Sequence, residues 1–229
     1  MAQQGIPVIT VDGPSGVGKG TISHLLASHF GFHFLDSGAL YRLTALAALN
    51  YGVDFANEAA VAAIAAKLDV AFLPDESGEV KVMLENQDVS KEIRTEMAGN
   101  NASKVAVLPA VRAALLQRQR DFAQSPGLVA DGRDMGTTVF PHAEVKLFLT
   151  ASAEVRAERR HKQLKEKGLD ANLRGLIEEI RQRDERDRTR SASPLRPADD
   201  AITIDTSRKG IEEVFAEVLG HCAGVVVSQ

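Results

Sequence analysis

Two kinds of apolar run alternate along the chain. Short β-rich runs occur at residues 6–11, 32–35, 127–130, 145–149 and 201–204, each too short for a helix. Among the segments between and after them, Ile22, Leu25, Leu26 and Phe30 have helical spacing, and Ile211, Val214, Phe215, Val218 and Leu219 form the apolar face of a closing helix. This alternation predicts an α/β fold: a five-stranded parallel sheet with helices on both faces. Gly31 is the expected stop of the first helix, and the second strand should end at Asp36. From Ser37 the pattern becomes a long Ala/Leu-rich helix.

Two stretches interrupt the alternation. Between about residues 54 and 101 an Ala-rich helix is followed by apolar runs at 70–73 and 80–84 around a polar loop at 74–78. That reads as an antiparallel β-hairpin added to a parallel fold. Residues 153–168 are charged and helical, with few apolar positions, and are expected to act as a mobile lid. There is no internal repeat and no low-complexity linker.

Composition narrows the class. At 229 residues the chain is one α/β domain with insertions, or at most two. Its 44% apolar content suffices for a sizeable core, and its 25% charged content is average. No apolar run reaches the roughly 18 residues of a membrane span, so no membrane association is expected. The N-terminus runs straight into the first strand, so no signal peptide is expected. Cys222 is the single cysteine, so no intrachain disulfide can form and a reducing cytoplasm fits best.

The net charge of −4 argues against non-specific nucleic-acid binding, yet it is unevenly spread. Residues 156–190 hold 12 Lys/Arg against 8 Asp/Glu, leaving 15 against 23 elsewhere. Alone, such a run reads as a solvated helical face. Beside a phosphate site it could neutralise two nucleotides.

The first strand run opens directly onto Gly13-Pro14-Ser15-Gly16-Val17-Gly18-Lys19-Gly20-Thr21. Strand, Gly-rich turn and helix start thus occur in the order a P-loop needs. Glycines let successive amides close around phosphate oxygens, and the helix N-terminus adds positive potential. Lys19 would be a mobile charge on the β- and γ-phosphates, expected to face solvent without ligand. Most P-loops have Ser or Thr after the lysine as a Mg²⁺ ligand; here Gly20 precedes Thr21. No direct protein ligand to Mg²⁺ is therefore expected. The ion would be held by phosphates and waters, with Asp131 as a candidate carboxylate. The variant resembles nucleoside monophosphate kinases, and no N-K-x-D guanine-reading motif occurs.

Three further constellations stand out. Ser37 and Arg42 follow a strand end and could grip a phosphate monoester, or merely cap and decorate a helix. Asp131, Arg133 and Asp134 follow another strand, where a carboxylate can orient Mg²⁺ waters and an arginine can face phosphate; an Asp-Gly turn is the plainer alternative. Arg183, Asp187 and Arg190 share a helix face, able to hold a ribose and a phosphate or to form an exposed salt-bridge ladder. The six histidines have no metal-site spacing.

Five segments together carry a resemblance: G-P-S-G-V-G-K-G-T, D-S-G-A-L-Y-R, D-V-S-x-E-I-R-T at residues 88–95, D-G-R-D-M-G-T at 131–137 and R-D-E-R-D-R-T-R at 183–190. In this order, nearly end to end, they resemble the bacterial-type cytidylate kinases. The resemblance implies a P-loop NTPase fold that transfers a phosphoryl group from ATP to CMP or dCMP, with Mg²⁺. It implies a core of residues 1–40 and 106–229, a monophosphate-binding insert at 41–105 and the lid at 153–168. Lys19 and the P-loop amides would bind ATP, with Arg156, Arg159 and Arg160 closing over it. Ser37, Arg42, Arg133 and Arg190 would hold the acceptor phosphate, with Tyr41 beside them; Arg183 and Asp187 the sugar; Ser103, Arg112 and Asp134 the base. Lys19, Asp131, Arg133 and Arg190 would be the catalytic set. A monomer in the cytoplasm, with no nucleic-acid or membrane partner, is expected. A kinase for another small acceptor, or an idle nucleotide-binding protein, are the competing readings.

Overall fold

The computed structural model describes residues 5–74, 80–166 and 168–224. In chain order its strands are β1 (Val8–Asp12), β2 (His33–Asp36), β3 (Val70–Pro74), β4 (Val80–Leu84), β5 (Gln87–Asp88), β6 (Leu128–Gly132), β7 (Val145–Thr150) and β8 (Ile202–Asp205). The helices are α1 (Lys19–Phe30), α2 (Ser37–Asn50), α3 (Glu58–Ala66), α4 (Glu96–Val105), α5 (Pro109–Arg120), α6 (Ala153–Glu166), α7 (Leu173–Thr189) and α8 (Ile211–His221). Two short turns of helix add to these, a 3-10 turn at Glu92–Arg94 and a π turn at Met135–Val139. The chain divides into two compact units, residues 1–36 with 119–229, and Ser37–Arg118.

In the first unit all five expected core strands form one parallel sheet in the order β2-β6-β1-β7-β8. β1 and β6 are buried along their whole length, as their near-continuous apolar sequences require in a sheet covered on both faces. Ile9 and Val11 point to one face, where Ile22 and Leu26 of α1 and Val214 and Val218 of α8 complete the core. Thr10 and Asp12 alternate to the other face and meet the π turn: a Cβ on Gly136 would lie 2.9 Å from Thr10 Oγ1. α1 stops at Gly31, the residue expected to end it. The C-terminal ends of β1 and β6 pair Val11 with Asp131 and Asp12 with Gly132, so the P-loop and the 131–137 segment leave the sheet side by side.

The second unit has its own core. Leu43 and Ala47 of α2 pack with Leu68, Val82, Leu84, Val89 and Ile93. β3 and β4 form the expected antiparallel pair, with Phe72 opposite Val82. Of the loop expected at 74–78, residues 75–78 lie outside the described residues. A third strand, β5, follows β4 through Glu85 and Asn86, both at positive φ (50° and 65°), the backbone of a two-residue hairpin turn. Asn57 and Thr95 cap α3 and α4 with their side chains.

Candidate active site

The P-loop is shaped by close approach. Gly13 has φ +146°, and a Cβ there would stand 2.1 Å from the Leu149 carbonyl oxygen, so no other residue fits. Several loop carbonyls are tied down: Pro14 O accepts from Lys19 Nζ at 2.8 Å, Ser15 O from Arg156 at 3.0 Å and Val17 O from the Thr206 hydroxyl at 3.1 Å. α1 makes its first intrahelical bond at Ile22 N, to Gly18 O. The amides of residues 19–21 therefore lack helical acceptors, the arrangement that binds anions.

Lys19 departs from expectation. It is 6% exposed rather than facing solvent, because its ammonium turns back onto Pro14 O and lies 3.9 Å from Asp131 Oδ1. Burial, with the positive charges of Arg133 and Arg183, pushes its pKa down to about 8. Asp131 also stands beside Gly20. A Cβ on Gly20 would lie 3.6 Å from Asp131 Oδ2, an ordinary contact, so a carboxylate overlooks the place where most P-loops carry a hydroxyl. An oxygen donor beside the phosphate cradle suits a hard divalent cation, either directly or through water. Among the described residues there is no group of three or more His, Cys, Asp or Glu side chains that could hold a metal ion by themselves.

Arg133, Arg183 and Arg190 come together around Asp187, the first two also acting on Lys19. Arg133 Nε donates to Asp187 Oδ2 at 3.0 Å. Burial works against both charges, but mutual attraction wins: Arg133 is raised chiefly by Asp187, and Asp187 is lowered by Arg133, Arg183 and Arg190. Arg190, 7% exposed, gives Nε to Ser193 O at 2.6 Å and places Nη2 3.8 Å from Asp134 Oδ1. Asp187 and Arg190 are buried, so this face of α7 is no exposed salt-bridge ladder. Asp131 and Gly132 end β6 rather than making an Asp-Gly turn, and Asp134, 2% exposed, sits at the start of the π turn.

The three arginines of α6 differ from one another. Arg156 is 2% exposed; it donates to Ala151 O, Ser152 O and Ser15 O and pairs through both terminal nitrogens with Asp184. Its stem also packs on Gly16, whose Cβ would lie 3.3 Å from Arg156 Cβ. Arg159 binds the hydroxyl and carbonyl of Thr206, and Arg160 reaches Gln163. The first turns of α6 are therefore fastened to the P-loop, to Thr206 just beyond β8 and to α7.

In the second unit, Ser37 opens α2 and is buried, as is Tyr41, while Arg42 is half-buried. Ser103 of α4 and Arg112 of α5 are buried as well. Arg112 donates to Ala106 O, and its guanidinium carbon lies 5.7 Å from the centre of the Tyr41 ring, within cation–π reach. Ser37 is thus more than a surface cap, and Tyr41 and Arg112 meet although 71 positions separate them.

Three residues of the first unit escaped the sequence reading: Asp12, Asp184 and Thr206. Asp12 accepts from the amides of Met135 and Gly136, both at 2.8 Å, and burial pushes its carboxyl up to about 7. A carboxylate at the last position of a buried strand, directly before the P-loop glycine, was the available signal.

The sequence profile described as cytidylate kinase matches residues 9–223. A cytidylate kinase of Shewanella denitrificans is 60% identical over 216 residues, covering 94% of this chain and 95% of the relative. A cytidylate kinase of Pseudomonas paraeruginosa is 57% identical over 218 residues, covering 95% of each. Among solved structures, a gluconokinase from Sinorhizobium meliloti aligns with a TM-score of 0.48 at 17% identity, over 96% of this chain and 94% of that one. With the profile spanning nearly all of a sequence whose P-loop and arginine cluster have the geometry described above, this chain belongs to the cytidylate kinase family.

Proposed function

We propose that the chain transfers the γ-phosphoryl group of ATP to CMP or dCMP, giving ADP and CDP or dCDP. The observation that carries this is the gathering of Arg133 and Arg183 with the P-loop Lys19, Arg190 joining them across Asp187, and Asp131 and Asp187 balancing the charge. Moving a phosphoryl group between two polyanions needs little covalent help from the protein. It needs in-line placement and neutralisation of charge, which fixed cations in a poorly solvated site supply.

In this reading the P-loop amides from Gly13 to Thr21 and Lys19 bind the donor phosphates. Arg133 and Arg190 hold the acceptor phosphate, and so do Ser37 and Arg42 of the second unit. Arg183 and Asp187 bind the sugar; Asp134, Ser103 and Arg112 recognise the base, with Tyr41 supporting Arg112. The acceptor phosphate arrives ionised, so no strong general base is called for. A divalent cation, Mg²⁺ in this reading, would supply charge neutralisation, held by the nucleotide phosphates and waters with Asp131 at its edge. Residues 153–168 form the lid in this reading, with Arg156, Arg159 and Arg160 closing over ATP; without ligand Arg156 holds the Ser15 carbonyl and Arg159 the Thr206 hydroxyl. We take ATP and CMP as the partners of a cytoplasmic monomer. No helix among the described residues is long and apolar enough to cross a membrane.

An ADP-release assay across CMP, dCMP, UMP, dTMP, AMP and shikimate, with ATP and Mg²⁺, tests this reading. The expected result is fastest turnover with CMP and dCMP. Preference for another acceptor, or no turnover with any, would refute it.

A further inference from the structure

Asp12 ends β1 and immediately precedes the P-loop, with 5% of its surface exposed. Its two carboxylate oxygens accept from consecutive amides, Met135 N and Gly136 N, each at 2.8 Å. These amides open the π turn, where N–H groups have no partner of their own. The other end of the turn is fastened by Arg120, which donates to the carbonyls of Val139 and Thr138. Thr138 Oγ1 in turn donates to the hydroxyl of Ser193, whose carbonyl holds Arg190. Immediately upstream of the turn stand Asp131, Arg133 and Asp134.

We propose that Asp12 is a positioning residue for phosphoryl transfer: its grip on Met135 and Gly136 sets the spacing between the P-loop and the Arg133–Asp134 segment, and so between donor and acceptor. It contacts neither substrate in this role. A carboxylate is needed because it accepts from two donors at once. An asparagine of the same shape would turn its NH2 against one of the two amides. Taking a charge out of water is costly, and the same turn could have been packed against an apolar residue for structure alone. What an apolar residue could not do is fix two successive amides at hydrogen-bond distance, at the seam between the two parts of the reaction. This inference rests on the reading of the chain as a CMP kinase.

The test compares Asp12→Asn and Asp12→Ser with the wild type, on the full chain. A misplacement of about 1 Å can cost about 10²-fold in rate, so kcat should fall roughly 10- to 100-fold. KM for CMP should rise several-fold while KM for ATP stays within about 3-fold. Amide hydrogen exchange should quicken at residues 133–139 and remain unchanged in α1 and α8. Unaltered kinetics in folded Asp12→Asn would overturn the proposal. So would an equal loss toward both substrates that tracks a lowered thermal midpoint, since that is scaffold damage. Should both variants fail to fold, Asp12→Glu keeps two acceptors but displaces them by one methylene, and a wild-type kcat in that variant would overturn it equally. If the wild type itself does not phosphorylate CMP, the functional reading fails. If it does and Asp12→Asn is indifferent, only the role of Asp12 falls.

Discussion

Helix α7 makes two Arg–Asp pairs one turn apart, and they are built differently. Asp184 takes both terminal nitrogens of Arg156, whose other donors go to Ala151, Ser152 and Ser15 carbonyls, leaving Arg156 2% exposed. Asp187 takes Nε of Arg133, whose side chain keeps 19% of its surface open and stands beside Lys19, Arg183 and Arg190. The first pair spends its hydrogen-bonding capacity on backbone carbonyls and a partner. The second leaves an arginine fork beside a phosphate cradle. Burial of a charged pair therefore does not by itself mark a ligand site; what matters is where the donors go. By this measure Arg156 shapes the P-loop, and Arg133 suits the substrate role proposed for it.

Exchanging each arginine for alanine should separate the two roles. Arg156→Ala strands Asp184 and the Ser15 carbonyl in the interior, which should cost about 3–5 kcal/mol of stability, read by urea or thermal unfolding. Arg133→Ala should cost less stability, because Arg183 and Arg190 still face Asp187, but should lower kcat by about 10²-fold. The reverse pattern, a stable Arg156→Ala with defective turnover and an unstable Arg133→Ala with normal turnover, would break the distinction.

A smaller effect is expected at Asp134, which lies against Arg190 but points toward base recognition in this reading. Cytosine offers an amino donor at N4, whereas uracil has an acceptor at O4. A carboxylate suits the first and repels the second. Asp134→Asn should weaken CMP use and narrow the CMP/UMP ratio of kcat/KM by about 10-fold or more, since an amide can donate as well as accept. An unchanged ratio would put base reading elsewhere.

The mildest test uses pH. Lys19, with its pKa lowered to about 8, loses its charge as pH rises through that value, so kcat/KM for ATP should decline on the alkaline side. Stability should move the other way. Between about 8 and the unfolded value near 10.5 the unfolded chain binds the extra proton, and the Lys19 contribution to stability rises with pH. Arg133→Ala removes one of the charges that lower this pKa and should shift the alkaline break upward. A profile flat to about pH 9.5 in the wild type would show that Lys19 stays charged in the free enzyme.

The sequence by itself determined the local elements. Five β-rich apolar runs became the five strands of the sheet, Gly31 ended α1, and the order strand, Gly-rich turn, lysine, helix located the P-loop. Such features depend on a few neighbouring residues, and hydrophobic periodicity reports them directly. β5, with two residues, was too short for any period to show, and the π turn has no pattern of its own. Only the tertiary structure decided which of the chemically suggestive residues are spent on the scaffold. Asp12 meets amides 123 and 124 positions away, Arg156 meets Asp184 28 away, and Lys19 turns inward beside Asp131. A side chain's spacing along one helix fixes the face it shares. The acceptor on the facing segment is set by strand order β2-β6-β1-β7-β8, which brings the ends of β1 and β6 together. That order is a property of the whole folded sheet, and no local stretch of sequence carries it.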